Sequence, residues 1–407
     1  LTANLPPKPK GLPLSLVVAA LAMLAPFTID TYLPSFPDIA AELAASHAQM
    51  QQTLSLYLLA FAVSTLIYGP LSDSFGRRRV ILLALVIYTL TSIGCAYAEN
   101  IEQLIMLRIG QGLSASAGLV VGRAMIRDVY HGAQAQRVMA RVMLLFGIAP
   151  AVAPLIGGWL HDLHGWRAVF VFLALLAAAL FLMIGMVTGE TLAREKRHSI
   201  HPVAVGRAYG KALRSGKFLA LVACFALMFS GFFLYVAGAP TVIYDFLGLG
   251  VNDFWVLFIP SVVAIMLGSQ LSGRLAGRLS PARTVSLGFA LMVMAALLNV
   301  AQGLLLAPAT FSVVAPLALY VLGMALTMPN LNLMALDCFP HNRGMASAMQ
   351  SFVQMTFTSL VVGVVVPLVA VSVPALALAM LGLNLGGLLL WLWLKQQHGG
   401  CERADSP

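Results

Sequence analysis

Residues 69–79 read Gly69-Pro70-Leu71-Ser72-Asp73-Ser74-Phe75-Gly76-Arg77-Arg78-Arg79, and an uncharged apolar run follows from Val80 to Ala98. A second apolar run, at about 49–70, precedes the turn. A helix needs about 20 apolar residues to cross the hydrocarbon of a bilayer. Two such runs joined by a short basic turn make a hairpin of membrane helices whose turn stays on the cytoplasmic side. The same reading, carried outward, gives twelve spans. They lie at roughly 12–34, 49–70, 80–98, 101–124, 138–160, 166–187, 217–240, 253–273, 283–305, 309–332, 344–369 and 373–394.

Composition agrees. Of 407 residues, 60% are hydrophobic and 10% charged, against about 45–50% and about 25% in soluble domains. A soluble enzyme and a disordered chain are both excluded. Barrel strands would alternate in segments of about ten residues, whereas these runs are continuously apolar. The first run is too long for a cleavable signal peptide and ends in Asp30-Thr31-Tyr32-Leu33-Pro34 without a small-residue cleavage site. Cys95, Cys224, Cys338 and Cys401 are far apart, so neither a zinc site nor a disulfide framework is expected.

The formal net charge is +9, and its placement is informative. With both termini in the cytoplasm, every Lys and Arg except Arg108 and Arg167 falls on the cytoplasmic side. Asp38, Glu42, Glu99, Glu102, Asp162, Asp245 and Asp253 collect outside. The excess of positive charge is therefore a topology signal, not a nucleic-acid footprint. The longest polar stretch, 188–216, divides the spans six and six. It separates an N-terminal bundle at 1–187 from a C-terminal bundle and tail at 217–407. Leu71-Ser72-Asp73-Ser74-Phe75-Gly76-Arg77 recurs as Leu271-Ser272-Gly273-Arg274-Leu275-Ala276-Gly277-Arg278, each after the second span of its half. The expected architecture is all-α, with two pseudo-symmetric six-helix bundles of the kind transporters build by duplication.

Charge inside a membrane is costly and marks function. Two ionisable residues lie well inside the spans, Asp30 in span 1 and Arg108 in span 4. Asp30 lies roughly 6 Å before Pro34, and Arg108 roughly 10 Å beyond the start of its span. The helices are antiparallel, so both charges sit in the outer half, where they face each other directly or across water. Such a carboxylate is a candidate proton carrier, because burial and a nearby guanidinium push its protonation in opposite directions. At the other face, Arg77 is expected to reach Asp128 near Asp73, forming a charge latch.

Several stretches resemble one family. Residues 69–79 resemble the signature loop of the major facilitator superfamily, and Arg108-Ile109-Gly110-Gln111-Gly112 its fourth-helix motif. Residues 147–159, Gly147-Ile148-Ala149-Pro150-Ala151-Val152-Ala153-Pro154-Leu155-Ile156-Gly157-Gly158-Trp159, resemble the fifth-helix motif of drug–proton antiporters. Thr28-Ile29-Asp30-Thr31-Tyr32-Leu33-Pro34-Ser35-Phe36-Pro37 looks like the first-helix signature of the bicyclomycin-resistance-like (Bcr/CflA) exporters. Arg127-Asp128-Val129-Tyr130 and Phe339-Pro340-His341 also fit that subfamily. The resemblance implies two bundles around a central cavity working by alternating access, with Asp30 and Arg108 coupling protons and Asp73, Arg77 and Asp128 as the latch. It implies the proton gradient as energy source, no cofactor or metal, and a monomer in the bacterial inner membrane.

In the fifth-helix motif, Pro150 and Pro154 remove backbone donors and bend the helix. Gly147, Gly157 and Gly158 permit close helix approach. The substrate cavity should be mostly apolar with a few polar anchors. Candidates are Tyr32, Tyr57, Gln111, Met143, Phe146, Phe229, Phe233, Tyr235, Asn330 and Gln354. The leading expectation is proton-coupled export of small amphipathic compounds. A specific metabolite exporter, of nucleobases or sugars, stands second. An intramembrane enzyme is disfavoured, since Asp30 is an isolated acid and all eight His fall in expected loops or tails.

Overall fold

The computed structural model describes residues 14–197, 202–305 and 308–404. Lys8, Lys10, His198 and the start of the first expected run lie outside them. The described residues contain twelve helices long and apolar enough to cross a membrane. These are Leu14–Glu42, His47–Phe75, Arg77–Ala96, Ile101–Val129, Gln134–His164, Trp166–Val187, Gly216–Ala237, Trp255–Leu275, Pro281–Leu305, Thr310–Asp337, Pro340–Val369 and Val373–Gln397, numbered below as spans 1 to 12. The segment between spans 6 and 7 lies at one end of the bundle. That end is called the linker face and the opposite end the distal face.

Local chemistry sets the helix ends. On the distal face, Ser46 and Gln49 form a reciprocal capping box that starts span 2. Asn100 caps span 4 by accepting from the Gln103 amide at 2.9 Å. Span 1 does not stop at Pro34. Its α-helix ends at Asp30, a 3-10 turn covers Leu33–Ser35, and a short helix runs Phe36–Glu42. Pro34 and Pro37 supply no amide to continue the ladder, so the chain re-starts rather than ends there.

The turn at 69–79 is tighter than expected. Span 2 continues through Pro70 to Phe75, span 3 begins at Arg77, and Gly76 alone separates them. Gly76 has φ +95°, a conformation that costs glycine nothing. Its counterpart Gly277 in the repeat, after span 8, has φ +81°.

Packing repeats with an offset of six. Spans 2 and 4, 3 and 4, 3 and 6, 1 and 4, and 1 and 5 pack together. So do 8 and 10, 9 and 10, 9 and 12, 7 and 10, and 7 and 11. Between halves, span 2 packs on span 11 and span 5 on span 8. These contacts exchange under the same offset, as a two-fold relation requires. The polar stretch holds a further amphipathic helix, Pro202–Leu213, whose Tyr209 hydroxyl donates to the Leu66 carbonyl of span 2 at 2.9 Å.

Candidate functional site

Spans 1 to 4 converge on Arg108, which is fully buried two turns into span 4. Its guanidinium lies between the rings of Tyr32 and Tyr57, 4.2 and 4.6 Å from their centroids. Nη1 donates to the Thr28 carbonyl at 3.1 Å and to Gln111 Oε1 at 2.9 Å. The Thr28 carbonyl is available because the α-helix of span 1 ends two residues later, leaving its last carbonyls without intrahelical donors. Gln111 is held in turn, its Nε2 donating to Ser92 of span 3 at 2.8 Å. The Thr28 hydroxyl meets Tyr88 at 2.5 Å, and the Tyr32 hydroxyl meets Thr53 at 3.0 Å. Four helices are thus joined through one cation.

The cage is incomplete. Among the described residues, Arg108 Nε and Nη2 have no hydrogen-bond partner within 3.5 Å. Asp30 is 4% exposed and makes no ion pair within 4.0 Å among the described residues. The direct pairing left open by the sequence is therefore not formed; Nη1 is taken by Thr28 and Gln111, and the guanidinium plane contacts the tyrosine rings. Burying an ion costs several kcal/mol. Cation–π contacts return about 2 kcal/mol or more each when desolvated. Among the described residues, the site holds a cation with two unpartnered nitrogens, Nε and Nη2, carrying three N–H groups, and, on the neighbouring span 1, a carboxylate without a counter-ion.

On the distal side the halves are stitched together. The Ser359 hydroxyl donates to the Ser55 carbonyl at 2.6 Å, and Gln51 Nε2 to the Ala237 carbonyl at 3.0 Å. The Tyr244 hydroxyl donates to the Pro34 carbonyl at 2.6 Å, and Asn252 Nδ2 to Asp162 Oδ2 at 3.4 Å. Span 5, which contains Pro150 and Pro154, reaches this region with two of its glycines, Gly157 and Gly158. Gly157 faces the Thr31 backbone of span 1, and Gly158 faces the Val251 carbonyl of the other half. Gly147, by contrast, has open space beside it. Of the histidines expected in loops, His47 opens the helix of span 2, His164 closes that of span 5, and one turn before that end lies His161. It contacts Asp38 at 2.8 Å and Ser35 at 3.0 Å, tying span 5 to the bent end of span 1.

At the linker face, Arg77 is almost buried. Nη1 pairs with Asp73 at 2.6 Å and donates to Ser72 at 2.7 Å, while Nε pairs with Asp128 at 3.0 Å. The expected trio is assembled, and two further residues join it. Glu190 accepts from the Arg77 amide at 2.9 Å, placing a carboxylate at the N-terminus of span 3. Thr191 donates to Asp128 at 3.2 Å. Sequence reading missed both; the only signal was an acid immediately after the sixth apolar run.

The expected cavity residues divide. Tyr32, Tyr57 and Gln111 form the Arg108 cage. Phe229 and Phe233 stack at 5.7 Å on span 7. Met143 and Phe146 are half-buried on span 5, and Gln354 is nearly buried on span 11. Asn330 donates to Ser272 at 3.3 Å, near the linker-face ends of spans 10 and 8. Tyr235 instead lies inside the C-terminal half, accepting from Asn299 at 2.6 Å. Thr28, Tyr88 and Ser92 were not anticipated, because hydroxyls in apolar runs are common and give no signal alone.

Twelve spans in two related six-helix halves, with a buried acid and a buried base between helices, define a polytopic transport protein of the bilayer. The Major Facilitator Superfamily model matches residues 18–363, and the chain belongs to that family. It is 30% identical over 397 residues to the uncharacterized MFS-type transporter YdgK of Bacillus subtilis, covering 95% of this chain and 97% of the relative. It is 28% identical to multidrug resistance protein D of Escherichia coli, with 95% and 97% covered. It is 30% identical over 259 residues to a bicyclomycin resistance protein homologue of Haemophilus influenzae, with 64% and 65% covered. Among solved structures, a bacterial homologue of the human lysosomal transporter Spinster superposes with a TM-score of 0.70 at 14% identity, covering 94% of this chain and 95% of that one. That likeness is one of fold.

Proposed function

We propose that the protein exports small amphipathic compounds from the cytoplasm in exchange for protons, by alternating access between its two halves. The observation that carries the reading is the unpaired couple of Asp30 and Arg108, both buried and on antiparallel helices. A carboxylate that has no counter-ion, one helix away from an arginine with unpartnered N–H groups, can exchange a bound proton for a contact with that cation. Asp30 is loaded from the distal, outer side and released toward the linker face, which is cytoplasmic along with both termini. Proton release draws the carboxylate toward Arg108 and changes how span 1 sits against span 4. The distal stitches hold the inward-open state, and the Arg77 latch holds the N-terminal half together at the cytoplasmic rim. The names of the relatives, multidrug resistance protein D and a bicyclomycin resistance homologue, support a drug-like cargo.

Everted vesicles acidified by respiration test the reading. Addition of a transported compound at the exposed cytoplasmic face should dissipate the pH gradient. Asp30→Asn should abolish that response while compound binding persists. A panel of antibiotics, dyes and nucleobases reports breadth, and a response confined to one metabolite would replace the drug-export reading. Full gradient-driven exchange by Asp30→Asn would refute the assignment of the proton carrier.

A further inference from the structure

Spans 9 and 12 pack side by side, and a groove of about 740 Å³ runs between them. Pockets that hold small molecules measure about 300–1,000 Å³. Ala290, Leu297 and Ala301 of span 9 and Leu388 and Leu392 of span 12 form its walls. Leu297 and Leu392 are about half exposed, so in a spanning chain the groove opens onto lipid. The slot exists because Ala290 and Ala301 put small side chains between the larger Val293, Met294, Leu297 and Leu298 of the same lining. Near the linker face the buried Trp391 indole donates to Ser286 Oγ at 3.0 Å and fixes the two helices to each other.

The groove is chemically graded from end to end. Lys395 and Ser286 line it at the linker face. Arg283 lies one turn before Ser286 on the stripe 283, 286, 290, 293, 297 and 301, whose steps of three and four keep one helical face. Across Pro281–Leu305 and Val373–Gln397 these two cations are the sole charged residues, since neither span contains Asp or Glu. Among the described residues neither cation has an ion-pair partner. Trp391 and Trp393 precede Lys395 by four and two residues, the arrangement expected where a helix meets the headgroup layer.

An apolar slot with unpaired cations at its interfacial end complements an amphiphile with a long apolar chain and an anionic head. We propose that this groove is a binding site for an anionic glycerophospholipid of the linker-face leaflet, one acyl chain lying between spans 9 and 12 and its phosphate between Arg283 and Lys395. Basic pockets between helices on the cytoplasmic side recognise anionic headgroups on the same physical grounds. The site is separate from Arg108 and braces two outer helices of the C-terminal half.

The test is lipid retention on the full-length protein, read by native mass spectrometry. Phosphatidylglycerol and phosphatidylcholine of matched chains are titrated in parallel, with and without millimolar inorganic phosphate. Phosphatidylglycerol should be retained preferentially, and inorganic phosphate should not displace it. Each basic residue near the surface contributes about fivefold, so R283Q/K395Q should lower phosphatidylglycerol retention about 25-fold and lower that of phosphatidylcholine, whose choline already offsets its phosphate, by less, so that the preference between them shrinks. A290F, which fills the slot, should reduce retention of both lipids. K395E, a milder change to folding than groove filling, brings the charge of the site to zero and should abolish the preference. Equal retention of the two lipids by the parent, or an unaltered preference in R283Q/K395Q, would overturn the proposal. Displacement by inorganic phosphate would do the same, because it would remove the acyl chain from the recognition.

Discussion

Replacing Gly158 by alanine should push the molecule out of the distal-closed state. A Cβ at Gly158 falls 2.5 Å from the Val251 carbonyl oxygen, 3.3 Å from Asn252 Oδ1 and 3.4 Å from the Val251 carbonyl carbon. The nearest atom is backbone and belongs to the other half of the molecule, so no side-chain rotation relieves the clash. Inserting a methyl group into a close-packed contact costs about 1–3 kcal/mol. Alanine also improves helix propensity by about 0.8–1.0 kcal/mol over glycine, but span 5 is helical whichever way the cavity faces. That gain therefore cancels between conformations, while the clash acts only where the halves touch. At about 1.4 kcal/mol per tenfold, the ratio of distal-open to distal-closed molecules should rise about 5- to 150-fold. Spin labels at Glu99 and Phe311, exposed near the distal ends of the two halves, report the separation in a background lacking the native cysteines. Gly147→Ala serves as the control, because a Cβ there meets nothing within 4 Å. An unchanged distance distribution in Gly158→Ala, or an equal shift in Gly147→Ala, would refute the close-approach argument.

Arg77→Gln leaves Asp128 and Asp73 without their cation. Asp73 is half exposed and Asp128 mostly buried, so the loss should be about 1–3 kcal/mol, below the 3–5 kcal/mol of a fully buried pair, and visible as a lower thermal midpoint. Arg108→Lys keeps the charge but loses the planar face between Tyr32 and Tyr57; transport should fall at least tenfold with expression retained, and wild-type transport would show that the stack is dispensable. Glu190→Gln removes a carboxylate from the N-terminus of span 3 and should destabilise by about 0.3–1 kcal/mol, an effect that shrinks in high salt; a salt-independent change would point elsewhere. Cys338 follows span 10 at the linker face, and burial, the largest influence, raises its thiol above the ordinary range, with Lys217 lowering it and Asp337 raising it further. Its thiolate is thus scarcer than that of a free cysteine near neutral pH, so alkylation by maleimide should be slower and should climb about tenfold per pH unit from pH 7 to 9.

Much of the architecture is legible before folding. Twelve runs, the six-and-six division and the repeated turn all come from hydropathy and spacing. Helix ends are less legible. Hydropathy marks where a helix leaves the hydrocarbon, not where it stops, so span 2 runs on through Ser72 and Asp73 and the expected loop shrinks to Gly76. The bend of span 1 was visible as two prolines, but its consequence was not. The helix resumes after Ser35 and ends at Glu42, beside Trp166 and Arg167 at the start of span 6.

The site shows the same division. Asp30, Arg108, Tyr32, Tyr57 and Gln111 stand out as costly or amphipathic residues in apolar runs, and four of the five meet in one cage. Depth along a helix follows from counting residues, so Asp30 and Arg108 were placed at a common level. Rotation about the helix axis does not follow, and it is rotation that gives Arg108 to Thr28 and the tyrosines instead of Asp30. Glu190 was invisible for a related reason. Its partner, the Arg77 amide, is 113 residues away.

The amino-acid sequence by itself determined that this chain crosses a bilayer twelve times as two related halves, because transfer of each side chain between water and oil is nearly additive along the chain. Only the tertiary structure decided which buried groups touch, which N–H groups stay free and at which face the two halves are stitched together. Those outcomes depend on the tilt and rotation of helices packed through residues as small as Gly157 and Gly158, a collective property that no single residue or run encodes.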